Sequence, residues 1–454
     1  MSTTTPGDRP TGDSRVLGLW MCTALVVGNV IGVGIFLLPA TLAPFGLNAL
    51  TGWIVTIVGC ALLAVTFAFL ARAFPQDDGP YGYTKRAFGD GVAFTVMWCY
   101  WVSTWVTNAV IAVGIVGYLT VLIPAINSQP WLPPFVALCL IWFFVIVNLR
   151  GARTAGWMQI ITTVLKLLPM LGVMCLGIWV LWIDPAEYVR HLPPNPTSFS
   201  EISQATTLTL YAMLGIECAT IPACRVSNPQ RTIPRSTVIG TVLLSVIYLS
   251  VSVIPMLLIP QGTLTASSAP FADLFARILG ERSGAILALF VVIGGMGALN
   301  GWTMLLAEVT QAIARHGHFP EILAKENTHG APAWSLAVTG VIASAMLVSN
   351  YSQSIAGLFA FLSVVVTAAN LPLYFVCAAA LVVFRRQRKA STAIALAGTA
   401  AFLYCVWCSI GIGLKPLLWT IALCAAGVPI YVASRLRERR DAVPFVPGEE
   451  SPHP

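Results

Sequence analysis

Twelve stretches of mostly apolar residues alternate along the chain with short polar loops. They lie near 17–39, 47–73, 92–123, 132–149, 156–182, 204–223, 234–260, 284–312, 333–349, 354–384, 391–413 and 416–434. A helix rises about 1.5 Å per residue, so roughly 20 such residues cross the hydrocarbon core of a bilayer. Each stretch therefore predicts a membrane-spanning helix. The first is too long for the apolar part of a secretory signal peptide, and eleven more follow, so it is read as helix 1. The expected fold is all-α and integral to the membrane, with twelve transmembrane helices.

The polar positions between the stretches give an independent check. Alternate loops, counted from the N-terminus, carry 20 of the 25 Lys and Arg residues, from Arg9 and Arg15 to the group Arg435, Arg437, Arg439 and Arg440. The opposite set holds Arg190, Arg277, Arg282 and Lys415, and Lys166 remains inside a helix. Basic residues accumulate in cytoplasmic loops, which places both termini in the cytoplasm and agrees with an even number of crossings. The same asymmetry accounts for the net charge of +7 without an acidic partner.

Composition sharpens the class. The chain of 454 residues is 57% hydrophobic and 9% charged, with a mean hydropathy of +0.82, whereas a soluble domain carries roughly 25% charged residues. A soluble enzyme, a disordered scaffold and a nucleic-acid binder are excluded. The 11 Cys show no secreted disulfide spacing. Most lie in apolar runs, where a thiol packs as a small hydrophobe, and this holds for the CxxC of Cys405 and Cys408. Residues 1–15 and 441–454 read as disordered cytoplasmic tails, and 16–440 as a single twelve-helix domain.

Two spans break their own pattern. Helix 1 contains Gly28-Asn29-Val30-Ile31-Gly32-Val33-Gly34-Ile35-Phe36, with Pro39 beyond. Helix 6 runs through Leu214-Gly215-Ile216-Glu217, with Pro222 beyond. Glycines at small-xxx-small spacing can serve close helix packing. Helices 1 and 6 correspond, however, if the first ten helices form two repeats of five, and glycine-interrupted segments at matching positions point to a transport site. Unwound carbonyls suit an ammonium, and the half-helix N-terminus near Val33 to Ile35 suits a carboxylate. Together they describe a receptor for an α-amino acid.

The motifs GNVIGVGIFLLP, PYGYTKRAFG, LGIECA with NPQRTIPRST, and GWTMLLAE resemble the amino acid–polyamine–organocation superfamily, over essentially the whole chain. Within it the chain is most similar to the bacterial arginine/agmatine antiporters and their cadaverine/lysine and putrescine/ornithine relatives. The resemblance implies a leucine-transporter-like inverted repeat of five plus five helices with helices 1 and 6 broken. Repeat one would span 16–182 and repeat two 203–384, with helices 11 and 12 at 391–434. It also implies alternating access, a bacterial inner-membrane location, no cofactor or metal, a homodimer through helices 11 and 12, and amino acids or polyamines as substrates.

By this resemblance the substrate lies against Ile31, Gly32, Val33 and Gly34 of helix 1, Asn108 of helix 3, Tyr211, Leu214 and Gly215 of helix 6, and Trp302 of helix 8. Trp302 would stack on a cationic group, a contact worth roughly 0.5–2 kcal/mol. Glu217, costly in a bilayer, would be a proton-sensitive gate, although a purely structural tie to helix 1 is the alternative. Lys166 departs from the arginine/agmatine pattern. It matches proton-coupled members, in which an ammonium stands near the sodium position of sodium-driven relatives. Tyr211 stands where those antiporters have a tryptophan, and Val33 where they have a serine. The expected function is sodium-independent exchange of basic amino acids or polyamines, with a proton-coupled amino-acid symporter of broader specificity as the alternative. His316 and His318 form an HxH that is read as a solvated pair rather than a zinc site. No catalytic cluster and no filter-like repeat appears, which argues against an enzyme or a channel.

Overall fold

A computed structural model of the chain describes residues 18–74, 79–150, 152–191, 197–216, 228–315, 317–350, 354–387 and 390–441. All regular elements among them are helical. In chain order they are α1 (Leu19–Val30), α2 (Gly34–Leu42), α3 (Asn48–Ala73), α4 (Gly79–Phe88), α5 (Asp90–Leu122), α6 (Leu132–Leu149), α7 (Ala152–Ile183), α8 (Glu187–Arg190) and α9 (Phe199–Ala212). They continue with α10 (Pro229–Leu258), α11 (Gln261–Ala266), α12 (Pro270–Leu279), α13 (Glu281–Arg315), α14 (Ala333–Val348), α15 (Ile355–Arg386), α16 (Thr392–Ile410), α17 (Leu414–Ala425) and α18 (Gly427–Asp441).

Nine spans among the described residues are long and apolar enough to cross a membrane. The other three expected stretches fall on α1 with α2, on α9, and on the shorter apolar α14. Four short helices stand where only loops were expected: α4, α8, α11 and α12. The last span divides at Ala426 into α17 and α18. Pro429 explains the division, since it has no N–H to offer a carbonyl one turn earlier.

α5 is the most buried of the spans, and it packs chiefly against α15 and α13. α6, α16 and α17–α18 present most of their surface outward, with Val406, Leu403 and Leu418 among the exposed apolar side chains. That inversion, apolar outside as well as inside, is what a lipid-facing surface requires. α13 is drawn close to its neighbours by glycine. A Cβ at Gly294 would lie 2.6 Å from the Lys166 Cβ, and one at Gly297 would overlap the Thr162 side chain. Both contacts are with α7. The Val33 side chain, fully buried, fits the space left by Gly295 of α13 and Gly114 of α5.

Candidate functional site

The helix 1 interruption is where the glycine pattern puts it. α1 ends at Val30, Ile31 is extended (φ −70°, ψ 92°), and α2 begins at Gly34. Such a break frees backbone carbonyls in a place with little water, and each must find a donor. Lys166, fully enclosed in α7, donates from Nζ to the carbonyls of Gly28 and Ile31, the latter at 2.6 Å. The Tyr248 hydroxyl donates to the Val30 carbonyl at 3.1 Å. Three carbonyls at the end of α1 are thus held by side chains of α7 and α10.

α2 has a different surrounding. The first-turn N–H groups of a helix have no intrahelical acceptor, and at Gly34 the backbone is bare enough for the Tyr211 ring to approach. A Cβ there would lie 2.5 Å from the ring's Cε1. The second interruption supplies that ring. α9 ends at Ala212, Met213 to Gly215 form turns, and Gly215 takes φ +104°, a value that side-chain-bearing residues rarely adopt. The Tyr211 ring also meets Phe359 of α15 edge-on, with centroids 5.9 Å apart.

Between the two interruptions lies a cavity of about 30 Å³. Gly32, Gly34, Tyr211, Leu214 and Trp302, all foreseen from sequence, line it. Val30, Ile35, Thr107, Ile111 and Ala212 also line it and were not foreseen. Its volume admits about two waters, which is too little for an amino acid.

The remaining expected residues take other positions. Ile31 contributes its carbonyl to Lys166 rather than a wall to the cavity, and the Val33 side chain is turned into the α5–α13 packing. Asn108 is buried on α5 outside the lining, while its neighbour Thr107 is inside it. The Asn108 Oδ1 and Trp105 Nε1 atoms, one helical turn apart, have no hydrogen-bond partner among the described residues. Gly215 shapes the helix 6 turn beside Leu214. Glu217 lies outside the described residues, as does His316. His318 is not solvated: it is buried, edge-on to Phe94 at 4.9 Å, with Nδ1 3.4 Å from the Ser434 hydroxyl. No cluster of metal-ligating side chains occurs among the described residues.

Nearer the opposite end from α1, the Tyr118 hydroxyl joins three elements. It donates to the Phe36 carbonyl of α2 at 2.8 Å and accepts from the Phe271 N–H of α12 at 3.2 Å. It thereby fixes α12 against the second half of helix 1.

Residues 17–448 match the family described as amino acid permease. Over 375 residues the chain is 31% identical to the cadaverine/lysine antiporter of Escherichia coli (strain K12), covering 80% of this chain and 83% of that protein. It is 29% identical over 404 residues to the putrescine transporter PotE of the same organism, covering 87% of this chain and 91% of that protein.

Proposed function

The chain belongs to the amino acid permease family, and on that premise we propose that it exchanges basic amino acids and polyamines across the bacterial inner membrane, independently of sodium. The observation that carries this reading is the cavity between the two interrupted helices. Its walls combine backbone N–H groups at the start of α2, which suit a carboxylate, with the Trp302 indole, which suits a cationic group. The two relatives named above are a cadaverine/lysine antiporter and a putrescine transporter, all of whose substrates are basic.

In this reading the chain crosses the membrane twelve times, in two inverted repeats of five helices and a final pair, with both termini cytoplasmic. The substrate lies against Gly32, Gly34, Tyr211, Leu214 and Trp302, with Ile31, Val33 and Gly215 shaping the backbone beside it and Asn108 reached only when the cavity widens. Glu217 gates the site by its ionisation. Alternating access widens the contracted cavity from one side and then the other, by moving α1 or α2 with the adjoining half of helix 6.

Lys166 supports sodium independence. Its ammonium already occupies the carbonyls of Gly28 and Ile31, the kind of oxygen site that a sodium ion would need. The same residue is the specific observation favouring the second reading, a proton-coupled symporter, because an amine seated on the moving half of helix 1 can couple its proton to that movement.

Thermal unfolding of the purified protein in sodium-free buffer tests the substrate class, since a ligand that binds only the folded state raises stability. Arginine, lysine, agmatine or cadaverine should raise the midpoint, and leucine or alanine should not. Stabilisation by neutral amino acids alone, or only with sodium present, would overturn the reading.

A further inference from the structure

The central cavity is too small for an amino acid, so one of its walls must give way before a substrate enters. The wall formed by Tyr211 is held from outside the cavity. Its ring fills the space in which a side chain at Gly34 would stand, and its hydroxyl lies 3.3 Å from that point. Behind the ring is α15, which packs along α5, the most buried of the spans.

α9 and α15 pass each other in opposite directions, and their contacts repeat turn by turn. The Thr367 hydroxyl donates to the Thr207 carbonyl at 3.3 Å. One turn onward in α9 and one turn back in α15, the Tyr211 and Ser363 hydroxyls share a hydrogen bond. One turn back again, the Phe359 ring meets the Tyr211 ring edge-on. Residues four apart share a helix face, so this register is what sets Ser363 opposite Tyr211. The Ser363 O–H donates to the Phe359 carbonyl at 2.7 Å. Its oxygen is therefore the acceptor for the tyrosine, and the chain of donors runs from Tyr211 through Ser363 to the backbone of α15. Ser363 itself is fully buried and lies outside the cavity lining.

The position of this tie gives it a consequence. Just beyond Tyr211, α9 gives way to the turns from Met213 to Gly215, so the ring sits beside the second interruption while Ser363 sits on an unbroken helix. Phe359 blocks a retreat of the ring toward α15. The ring leaves Gly34 only by leaving Ser363 as well, and a buried hydroxyl that loses its partner finds no water to replace it.

We propose that Ser363 is a positioning residue of the substrate site: it latches Tyr211 over Gly34, and the latch breaks when a basic amino acid binds. This rests on the reading of the cavity as the substrate site. The latch has a definite sign. It favours the closed arrangement, and apparent affinity falls with the fraction of molecules competent to bind. A residue that touched substrate would act in the opposite direction, since removing it would weaken binding.

Ser363→Ala, Tyr211→Phe and the double variant test this, and each substitution only removes an oxygen. A Thr107→Cys reporter in the cavity lining is alkylated with N-ethylmaleimide in ligand-free, detergent-purified protein, and its own peptide is followed by mass spectrometry. Ile111→Cys serves if that reporter fails to fold. Either single variant should label about two- to tenfold faster than the wild type, the effect of one hydrogen bond. The double variant should label no faster than the singles, because all three lack the same bond. Equilibrium titration of lysine should give a dissociation constant about two- to tenfold lower for Ser363→Ala than for the wild type. Equal labelling in all four proteins, additive gains, or lysine binding that Ser363→Ala leaves unchanged or weakens would each overturn the proposal. If lysine binds none of the proteins, the exchange reading fails, and the labelling rates alone decide for or against the latch.

Discussion

Lys166 is the side chain that ties α7 to the break in helix 1. Two carbonyls at the end of α1 accept from its Nζ, which is fully buried. Lys166→Met keeps much of the volume but removes the donor, and an unsatisfied buried polar group costs about 1–3 kcal/mol. The variant should unfold at a lower temperature and lose the pH response of transport; unchanged values of both would remove Lys166 from the coupling role. Trp302→Ala should weaken binding of a cationic substrate by several-fold to about thirtyfold, in line with the roughly 0.5–2 kcal/mol of a cation–π contact. Titration of substrate into detergent-purified protein measures this, and an unaltered affinity at normal protein yield would make Trp302 a packing residue. For Glu217 the expectation is that Ala abolishes or uncouples transport while expression is maintained, checked by uptake against immunoblot; normal turnover with the same pH dependence would contradict it.

Helices here are positioned by what glycine leaves out. The run Gly294, Gly295 and Gly297 on α13 admits Lys166 and Thr162 of α7 on one side and Val33 on the other. Gly297→Ala should destabilise the protein by about 1–3 kcal/mol through overpacking, and Thr162→Gly, which clears the overlapping atoms, should restore part of that. Thermal unfolding of both single variants and the double variant measures the coupling; strictly additive losses would mean that the two positions do not share the contact.

The same comparison shows which features a sequence carries openly. Gly28, Gly32 and Gly34 interrupt one apolar run, and Gly215 interrupts another, so the breaks were legible as departures from a regular pattern. Which face of a helix meets the cavity was not. Asn108 and Thr107 differ by one position, about 100° of rotation on α5, and only the packing of α5 against its neighbours decides between them. Val33 is similar: its place in the sequence is at the break, but Gly114 and Gly295, distant in the chain, take its side chain away from the cavity. His318 could not be distinguished from a solvated residue either, since the rings that cover it come from α5 and α18.

At the scale of the whole molecule, the basic residues and the two interruptions point to one design. In the proposed reading, loop charge sets the sidedness of the bundle, and the two interruptions flank a small central site. The orientation predicts that reporters fused at either terminus read as cytoplasmic, and an external signal from one of them would disprove the even count. Tyr118 ties α12 to α2 and α5. Parting α12 from α2 breaks both hydrogen bonds, so Tyr118→Phe should lower the thermal unfolding midpoint, and an unchanged midpoint would mean that the tie contributes nothing.

Exchange itself is measured most directly in sodium-free proteoliposomes, as the initial uptake of radiolabelled arginine with and without unlabelled agmatine, cadaverine or lysine inside. The account predicts uptake that depends on an internal basic compound, is reduced severalfold or more by Trp302→Ala at micromolar substrate, and is indifferent to added sodium. Equal uptake into empty vesicles driven by an inward proton gradient would contradict exchange and establish the symporter, and a requirement for sodium would contradict the role given to Lys166.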